Sequence, residues 1–254
     1  QRTLCYESPC SVMSKILEKT EAIVIQSIRY GDSSLIVKML TEEYGMQSYM
    51  VKGVYGSRSK FRPALFQNMT ILDIVATQNK SSLAFIKEIS LSHHYTNLFL
   101  DIKKSSILLF VSELLSKSIT EAETDRMLFN YIKKSMMWLD TAEANYANFP
   151  LVFAMGLCRY LGFSPNIDSY EEGSHFDILD GRFRKDQNII YPVDKEISKC
   201  FYEMCMQDID RMNLAIDNKK RLLLLDVVVS YFKLHFDNIK EIQSYGILHE
   251  ILGV

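Results

Sequence analysis

Leu83-Ala84-Phe85-Ile86-Lys87-Glu88-Ile89-Ser90-Leu91 reads with a period of two. Leu83, Phe85, Lys87, Ile89 and Leu91 alternate with Ala84, Ile86, Glu88 and Ser90, the repeat of a strand. A few residues later Ile107, Phe110, Val111, Leu114 and Leu115 recur at i, i+3, i+4, i+7 and i+8, the stripe of an amphipathic helix. The period changes after His94. The chain therefore divides into a β part and an α part.

Upstream of this change the strand signals continue. Glu21 to Arg29 holds the β-branched run Ala22-Ile23-Val24-Ile25, and Tyr30-Gly31-Asp32 marks a turn. Leu35 to Leu40, Met46 to Tyr55, Asn68 to Ala76 and Leu83 to Leu91 complete five expected strands. Gly56-Ser57-Arg58-Ser59-Lys60-Phe61-Arg62-Pro63 and Gln78-Asn79-Lys80-Ser81 are the loops among them. Five strands in about 75 residues with no intervening helix predict a small closed barrel. An OB-fold and an SH3-like barrel both fit, and strand counting does not separate them.

Downstream the pattern is helical. Thr124 to Leu139 places Met127, Leu128, Tyr131, Ile132, Ser135 and Leu139 near one face. Pro150 suits the first turn of a helix over Leu151 to Leu161, with Gly162 as its stop. That helix is apolar nearly all round, which predicts burial. Glu196 to Asp208 and Lys219 to Phe236 read as two more helices. Between them Phe176 to Leu179, Asp180-Gly181 and Arg182-Phe183 predict a hairpin with an Asp-Gly turn. The expected fold class is α+β: a five-stranded barrel, then an all-α region with a small hairpin insert.

The 254 residues are 48% hydrophobic and 24% charged, with a formal net charge of −2. These values exclude intrinsic disorder and a generally polycationic protein. No run approaches the ~18 apolar residues of a membrane span. Gln1 to Val12 carries two of the five cysteines and precedes Met13-Ser14-Lys15. It has no apolar core and no small-residue cleavage site, so we expect a leader foreign to the natural chain rather than a signal peptide. Cys158, Cys200 and Cys205 remain; they form no C-x-x-C, which fits a reducing cytoplasm. Charge is uneven. Met13 to Ser90 holds ten Lys+Arg against seven Asp+Glu, and Leu91 to Val254 holds eighteen against twenty-three.

Nucleotide-binding, zinc-protease and nucleophile-elbow signatures are absent. His93 and His94 are adjacent and point apart on any regular element, so they do not chelate together. Asp177 and Asp180 flank a turn, and turn chemistry accounts for both. The positive signal is the segment with Lys52, Arg58, Lys60 and Arg62 interleaved with Tyr55, Phe61, glycines and serines. Cations neutralise phosphates, aromatic faces stack on unpaired bases, and small residues let backbone amides approach an anion. Arg29 and Lys38 extend the patch. A solvated basic loop is the competing explanation. Tyr30, Tyr49, Phe66 and Phe85 are assigned to barrel packing.

The ordered series Glu21-Ala22-Ile23-Val24-Ile25, Tyr30-Gly31-Asp32-Ser33-Ser34, Leu40-Thr41-Glu42-Glu43-Tyr44-Gly45, Val51-Lys52-Gly53-Val54 and Ser57-Arg58-Ser59-Lys60 resembles the N-terminus of the RecO recombination mediators. Leu161-Gly162-Phe163-Ser164-Pro165 resembles the segment before that family's insert, and His249-Glu250-Ile251-Leu252 also fits. The resemblance implies an OB-fold over residues 13–92 and a helical domain over 93–254, with the insert at about 164–192. It implies binding of single- and double-stranded DNA, annealing of complementary strands and help in loading RecA. It further implies RecR and the C-terminal tail of single-strand-binding protein (SSB) as partners, a cytoplasmic, nucleoid-associated location and no covalent catalysis. Lys52, Arg58, Lys60 and Arg62 carry the DNA role, with Arg29 and Lys38 behind them. Arg126, Lys133 and Arg159 are candidates for the tail's carboxylate, by chemistry alone. Many members carry four zinc-binding cysteines after the Leu-Gly-Phe-x-Pro segment. Asp168 to Tyr191 has none, so no zinc and no other cofactor is expected, and Phe176, Ile178 and Phe183 must hold the hairpin by packing.

Two other functions compete. One is a different barrel module, an RNA- or ribosome-associated factor using the same loop without mediator activity. The other is a hydrolase whose carboxylates come from distant segments.

Overall fold

The computed structural model describes residues 17–56, 59–77, 83–119, 123–186 and 189–253. The expected leader, Arg58 and the turn at 78–81 lie outside the described residues. Five strands, β1 (Leu17–Tyr30), β2 (Ser34–Thr41), β3 (Gly45–Val51), β4 (Ile71–Thr77) and β5 (Ala84–Leu91), close a barrel in the order β1-β2-β3-β5-β4. β1 serves two neighbours. Its first half pairs antiparallel with β4, from Leu17↔Thr77 to Ile23↔Ile71, and its second half with β2, from Ala22↔Thr41 to Tyr30↔Ser34. The seam is a short parallel pairing of β3 with β5 at Tyr49↔Ala84 and Met50↔Phe85. This closure is that of an OB-fold and decides between the two barrels the sequence allowed. β3 ends earlier than the sequence pattern suggested. Gly53, at φ +71°, turns the chain, and Tyr55 N–H donates to Ser33 O at 3.2 Å.

A bulge divides β1. Val24 pairs with Met39, but Gln26 pairs with Lys38, so one extra residue sits opposite the partner strand. Ile25 is that residue, and its carbonyl accepts a hydrogen bond of 2.7 Å from Ser112 Oγ in the helical region. Before the bulge, Ala22 and Val24 point into the barrel with Leu35, Val37, Met39, Leu72 and Ile74. Ile23 and Ile25 point outward into the helical core with Leu40, Met46, Met69 and Ile71. From Ala22 to Ile25 both faces of β1 are buried: one lines the barrel interior, and the other joins the barrel's outer face to the helical core. Burying a large aliphatic side chain is worth about 1.5–3 kcal/mol.

Among the described residues six α-helices follow: α1 (Ile102–Ser118), α2 (Arg126–Thr141), α3 (Phe149–Tyr160), α4 (Lys195–Cys205), α5 (Asn218–His235) and α6 (Ser244–Gly253). Aspartates cap four of them. Asp101, Asp125, Asp194 and Asp217 each accept from first-turn N–H groups, satisfying donors that have no helical partner. α6 has no counterpart among the helices expected from sequence. Of the residues expected near one face of α2, Leu128, Ile132 and Leu139 are buried, whereas Met127 is 73% exposed, at the first turn on the edge of an open groove.

The hairpin insert is β6 (His175–Asp177) and β7 (Arg182–Arg184). Phe176 and Phe183 are buried, and Ile178 packs partly against the same core. The Phe176 ring lies 4.3 Å from that of Phe201, and Tyr170 stacks on Tyr202 at 4.0 Å. Asp177 Oδ1 accepts from Leu179 N–H at 3.1 Å inside the turn, and Arg184 pairs with Asp180 at 2.8 Å. Among the described residues no group of three or more His, Cys, Asp or Glu is placed to hold a metal ion. Among the described residues, Cys158, Cys200 and Cys205 are free and buried.

Candidate nucleic-acid interface

The turn after β3 and the adjoining end of β5 bring the basic residues together. Lys52 is exposed, and its Nζ lies 5.2 Å from the centroid of the Phe85 ring. Lys60 Nζ donates to the Lys87 carbonyl at 2.7 Å and lies 5.4 Å from the Phe61 ring. That bond fastens the β3–β4 loop to β5 and brings the exposed Lys87 beside Lys60. Lys87 is not among the sequence candidates; its only local signal is a charge on an outward strand position. Arg62 is exposed immediately before the 3-10 turn Pro63–Phe66. Arg29, at the far end of β1, lies over the Tyr55 ring at 4.9 Å and donates to Asp32 O at 3.1 Å. Lys52, Lys60, Lys87, Arg62 and Arg29 thus edge the barrel beside Tyr55, Phe61 and Phe85. Cations of the kind that neutralise phosphates thus stand beside aromatic rings of the kind that stack on unpaired bases.

Lys38 is placed differently. It is half-buried and its Nζ donates to the Ser116 carbonyl in α1 at 2.8 Å. Burial lowers its pKa. It joins barrel to helix.

The aromatics divide as well. Tyr49 and Phe66 fill the barrel interior as expected. Tyr30 does not: it is 56% exposed. Phe85 lies on the outer face, half-buried beneath Lys52. The β1 bulge turns Tyr30 outward, and the parallel seam sets Phe85 opposite the outward Met50.

The three basic candidates on the helices do not converge. Arg126 pairs with Glu43 and Lys133 with Glu21 at 2.6 Å, both linking α2 to the barrel. The Glu43 hydrogen bond raises the Arg126 pKa. Arg159, at the end of α3, reaches Asp208 at 3.3 Å and the Cys205 carbonyl at 3.0 Å. Beside them lies a groove of about 820 Å³ lined by Tyr131, Tyr160 and Ile209, with Met127 at its edge and Arg126, Lys134 and Arg211 around it. Lys134 and Arg211 carry no sequence signal of their own, because only the fold brings α2 against the segment after α4.

Residues 13–95 match the family model for the N-terminal part of recombination protein O, and residues 100–240 match that for its C-terminal part. The chain belongs to the RecO family. Among relatives named DNA repair protein RecO, that of Bacteroides fragilis strain YCH46 is 33% identical over 241 residues, covering 93% of this chain and 99% of the relative. That of Azobacteroides pseudotrichonymphae is 31% identical over 241 residues, again covering 93% and 99%. That of Christiangramia forsetii is 32% identical over 241 residues, covering 94% and 100%. No described helix is long and apolar enough to cross a membrane.

Proposed function

We propose that this chain is a DNA-repair and recombination mediator. It binds single- and double-stranded DNA, anneals complementary strands, and helps load RecA onto single strands coated with SSB, with RecR as a partner. The observation that carries this reading is the basic edge of the OB barrel, Lys52, Lys60, Lys87 and Arg62, interleaved with aromatic rings in a member of this family. Arg58 belongs to the same segment of sequence. The cations take phosphates and release counterions. Binding and positioning of strands is the whole of the proposed activity; no covalent step is involved.

The groove against α2 suits the acidic, apolar SSB tail. Its lining offers apolar and aromatic surface, and Lys134 and Arg211 supply cations for a terminal carboxylate. Arg126 contributes from the rim while paired with Glu43.

The test is annealing of complementary oligonucleotides, bare and coated with SSB, across a salt series. Mediator function gives annealing of coated strands that is lost when the SSB tail is deleted. Annealing of bare strands only would reduce the chain to a general nucleic-acid binder. Absence of salt-sensitive binding would overturn the reading.

A further inference from the structure

Arg126 belongs to two surfaces at once. It lines the groove against α2 together with Lys134 and Arg211, and it pairs with Glu43 in the turn between β2 and β3. Helix spacing explains this. Arg126 and Lys133 lie on one face of α2 and reach the barrel glutamates Glu43 and Glu21. Asn130, Tyr131 and Lys134 line the groove from the adjoining face. Arg126 opens the helix, where the two faces meet.

The atoms of the pair matter. Arg126 Nη2 donates to both carboxylate oxygens of Glu43. A guanidinium offers a carboxylate two edges of paired donors, Nη1 with Nη2 and Nε with Nη2. Nη2 is common to both edges, so Glu43 on that nitrogen leaves no complete fork for a second carboxylate. Glu43 is also aimed at it. Its carbonyl accepts from Thr124 Oγ1 at 2.9 Å, and its N–H donates to Thr20 Oγ1 at 3.3 Å. These bonds fix the turn against the start of α2.

The pair also sets the charge of the groove. Lys134 and Arg211 are exposed there. Asp208 and Asp210 line the same groove, and Asp208 is paired with Arg159. While Glu43 holds Arg126, Lys134 and Arg211 are set against Asp210. Freeing Arg126 adds a third cation with its fork intact. The Arg126 and Glu43 side chains are 61% and 36% exposed, and ion pairs in such positions are weak. An incoming carboxylate can therefore displace Glu43.

We propose that Glu43 is a built-in competitor for the groove: its carboxylate occupies the Arg126 fork until an acidic ligand takes its place. This rests on the reading of the groove as the SSB-tail site and adds the contact that limits its affinity.

The experiment is fluorescence anisotropy of a labelled C-terminal peptide of SSB titrated with full-length variants, each checked for wild-type thermal unfolding. Glu43→Gln keeps the side chain's size and removes its charge. It is expected to bind the peptide about two- to fivefold more tightly than wild type, the worth of an exposed ion pair. Glu42→Gln removes the same charge from a neighbour that acts on Arg126 through its field alone, and should change affinity less. Arg126→Ala weakens binding, and E43Q added to it brings no gain. Wild-type affinity in E43Q, with K134A/R211A impaired, overturns the competitor and leaves the groove reading standing. A gain that E42Q equals, or that persists in E43Q/R126A, also overturns it, because general charge then explains the effect. So does R126A with wild-type affinity. Peptide binding that K134A/R211A does not weaken, or no binding by any of these proteins, overturns the groove reading and the competitor with it.

Discussion

Glu113 in α1 accepts both the backbone N–H of Ser244, at 2.8 Å, and its hydroxyl, at 2.7 Å. The first residue of α6 is thus held by a carboxylate from a helix far upstream. Gln243 N–H adds a third bond at 2.9 Å and Lys117 Nζ a fourth at 2.6 Å. Burial alone would raise the Glu113 pKa, but the Lys117 and Ser244 donors together outweigh it and hold the carboxyl at about 2. A carboxylate also suits the positive end of a helix.

The folded-state pKa of Glu113 is depressed. Its contribution is therefore complete above the unfolded value near 4.5 and is lost as pH falls toward 2. Glu113→Gln removes the charge and is expected to cost about 1–3 kcal/mol at neutral pH. Urea unfolding at pH 7 and pH 3 checks this: the gap between wild type and variant narrows at the lower pH. Amide exchange in α6 accelerates in the variant at neutral pH. A gap independent of pH would refute the electrostatic account.

One side chain gathers three successive backbone donors of the segment joining the barrel to α1. Asp140, buried near the end of α2, accepts from the N–H groups of Thr96, Asn97 and Leu98, the last two at 2.8 and 2.7 Å. Burial opposes the charge, and these three donors reverse the balance and lower the pKa. Lys104 Nζ donates to the carbonyl of the same residue at 2.8 Å. Asp140→Ala leaves the buried Leu98 N–H without its acceptor, at roughly 1–3 kcal/mol for that group. Limited proteolysis is expected to cut first between residues 95 and 104 in the variant. A digestion pattern unchanged from wild type would count against this role.

Gly156 sits inside α3, where alanine would ordinarily gain about 1 kcal/mol. Here a Cβ would stand 2.7 Å from Tyr131 Cζ. The Tyr131 hydroxyl is fixed by a 2.8 Å bond to the Phe153 carbonyl. Gly156→Ala is therefore expected to destabilise, by about 1–3 kcal/mol. In the Tyr131→Ala background the same change becomes neutral or favourable. Denaturant titration of the four proteins tests this, and additivity of the two changes would refute the clash.

The strands were legible because period-two runs and turn residues are local signals. The way the barrel closes was not. It depends on Tyr49↔Ala84 and Met50↔Phe85, a parallel pairing between residues far apart in sequence. Nor was the β1 bulge legible. Continuing the alternation of Ala22 and Val24 puts Ile28 inside the barrel, and the extra residue at Ile25 puts it outside. α6 gives little signal because it is short, carries Gly246, and draws its N-terminal support from Glu113 rather than from neighbours. Within the candidate site, Lys52 and Lys60 are readable as one local cluster, whereas Lys87 arrives from another strand. Lys38 looks equivalent to them in sequence, and its half-burial against α1, where it donates to the Ser116 carbonyl, separates it.

That separation gives the sharpest test of the DNA-binding edge. Removing one cation from a single strand's phosphates lowers the log–log salt slope by about 0.7. K52A/R58A/K60A/R62A is expected to weaken binding to all sequences and to flatten the slope by up to roughly four such steps. Adding Lys87→Ala lowers it further. Lys38→Ala should leave the slope near wild type, because its ammonium is engaged by α1, and should instead lower the unfolding midpoint by loosening barrel from helix. Fluorescence anisotropy across a salt series, with thermal unfolding of each variant, checks both. A quadruple variant that stays folded and keeps the wild-type slope would place the DNA on another surface. A Lys38 variant that flattens the slope without loss of stability would show that the lysine leaves Ser116 when DNA binds.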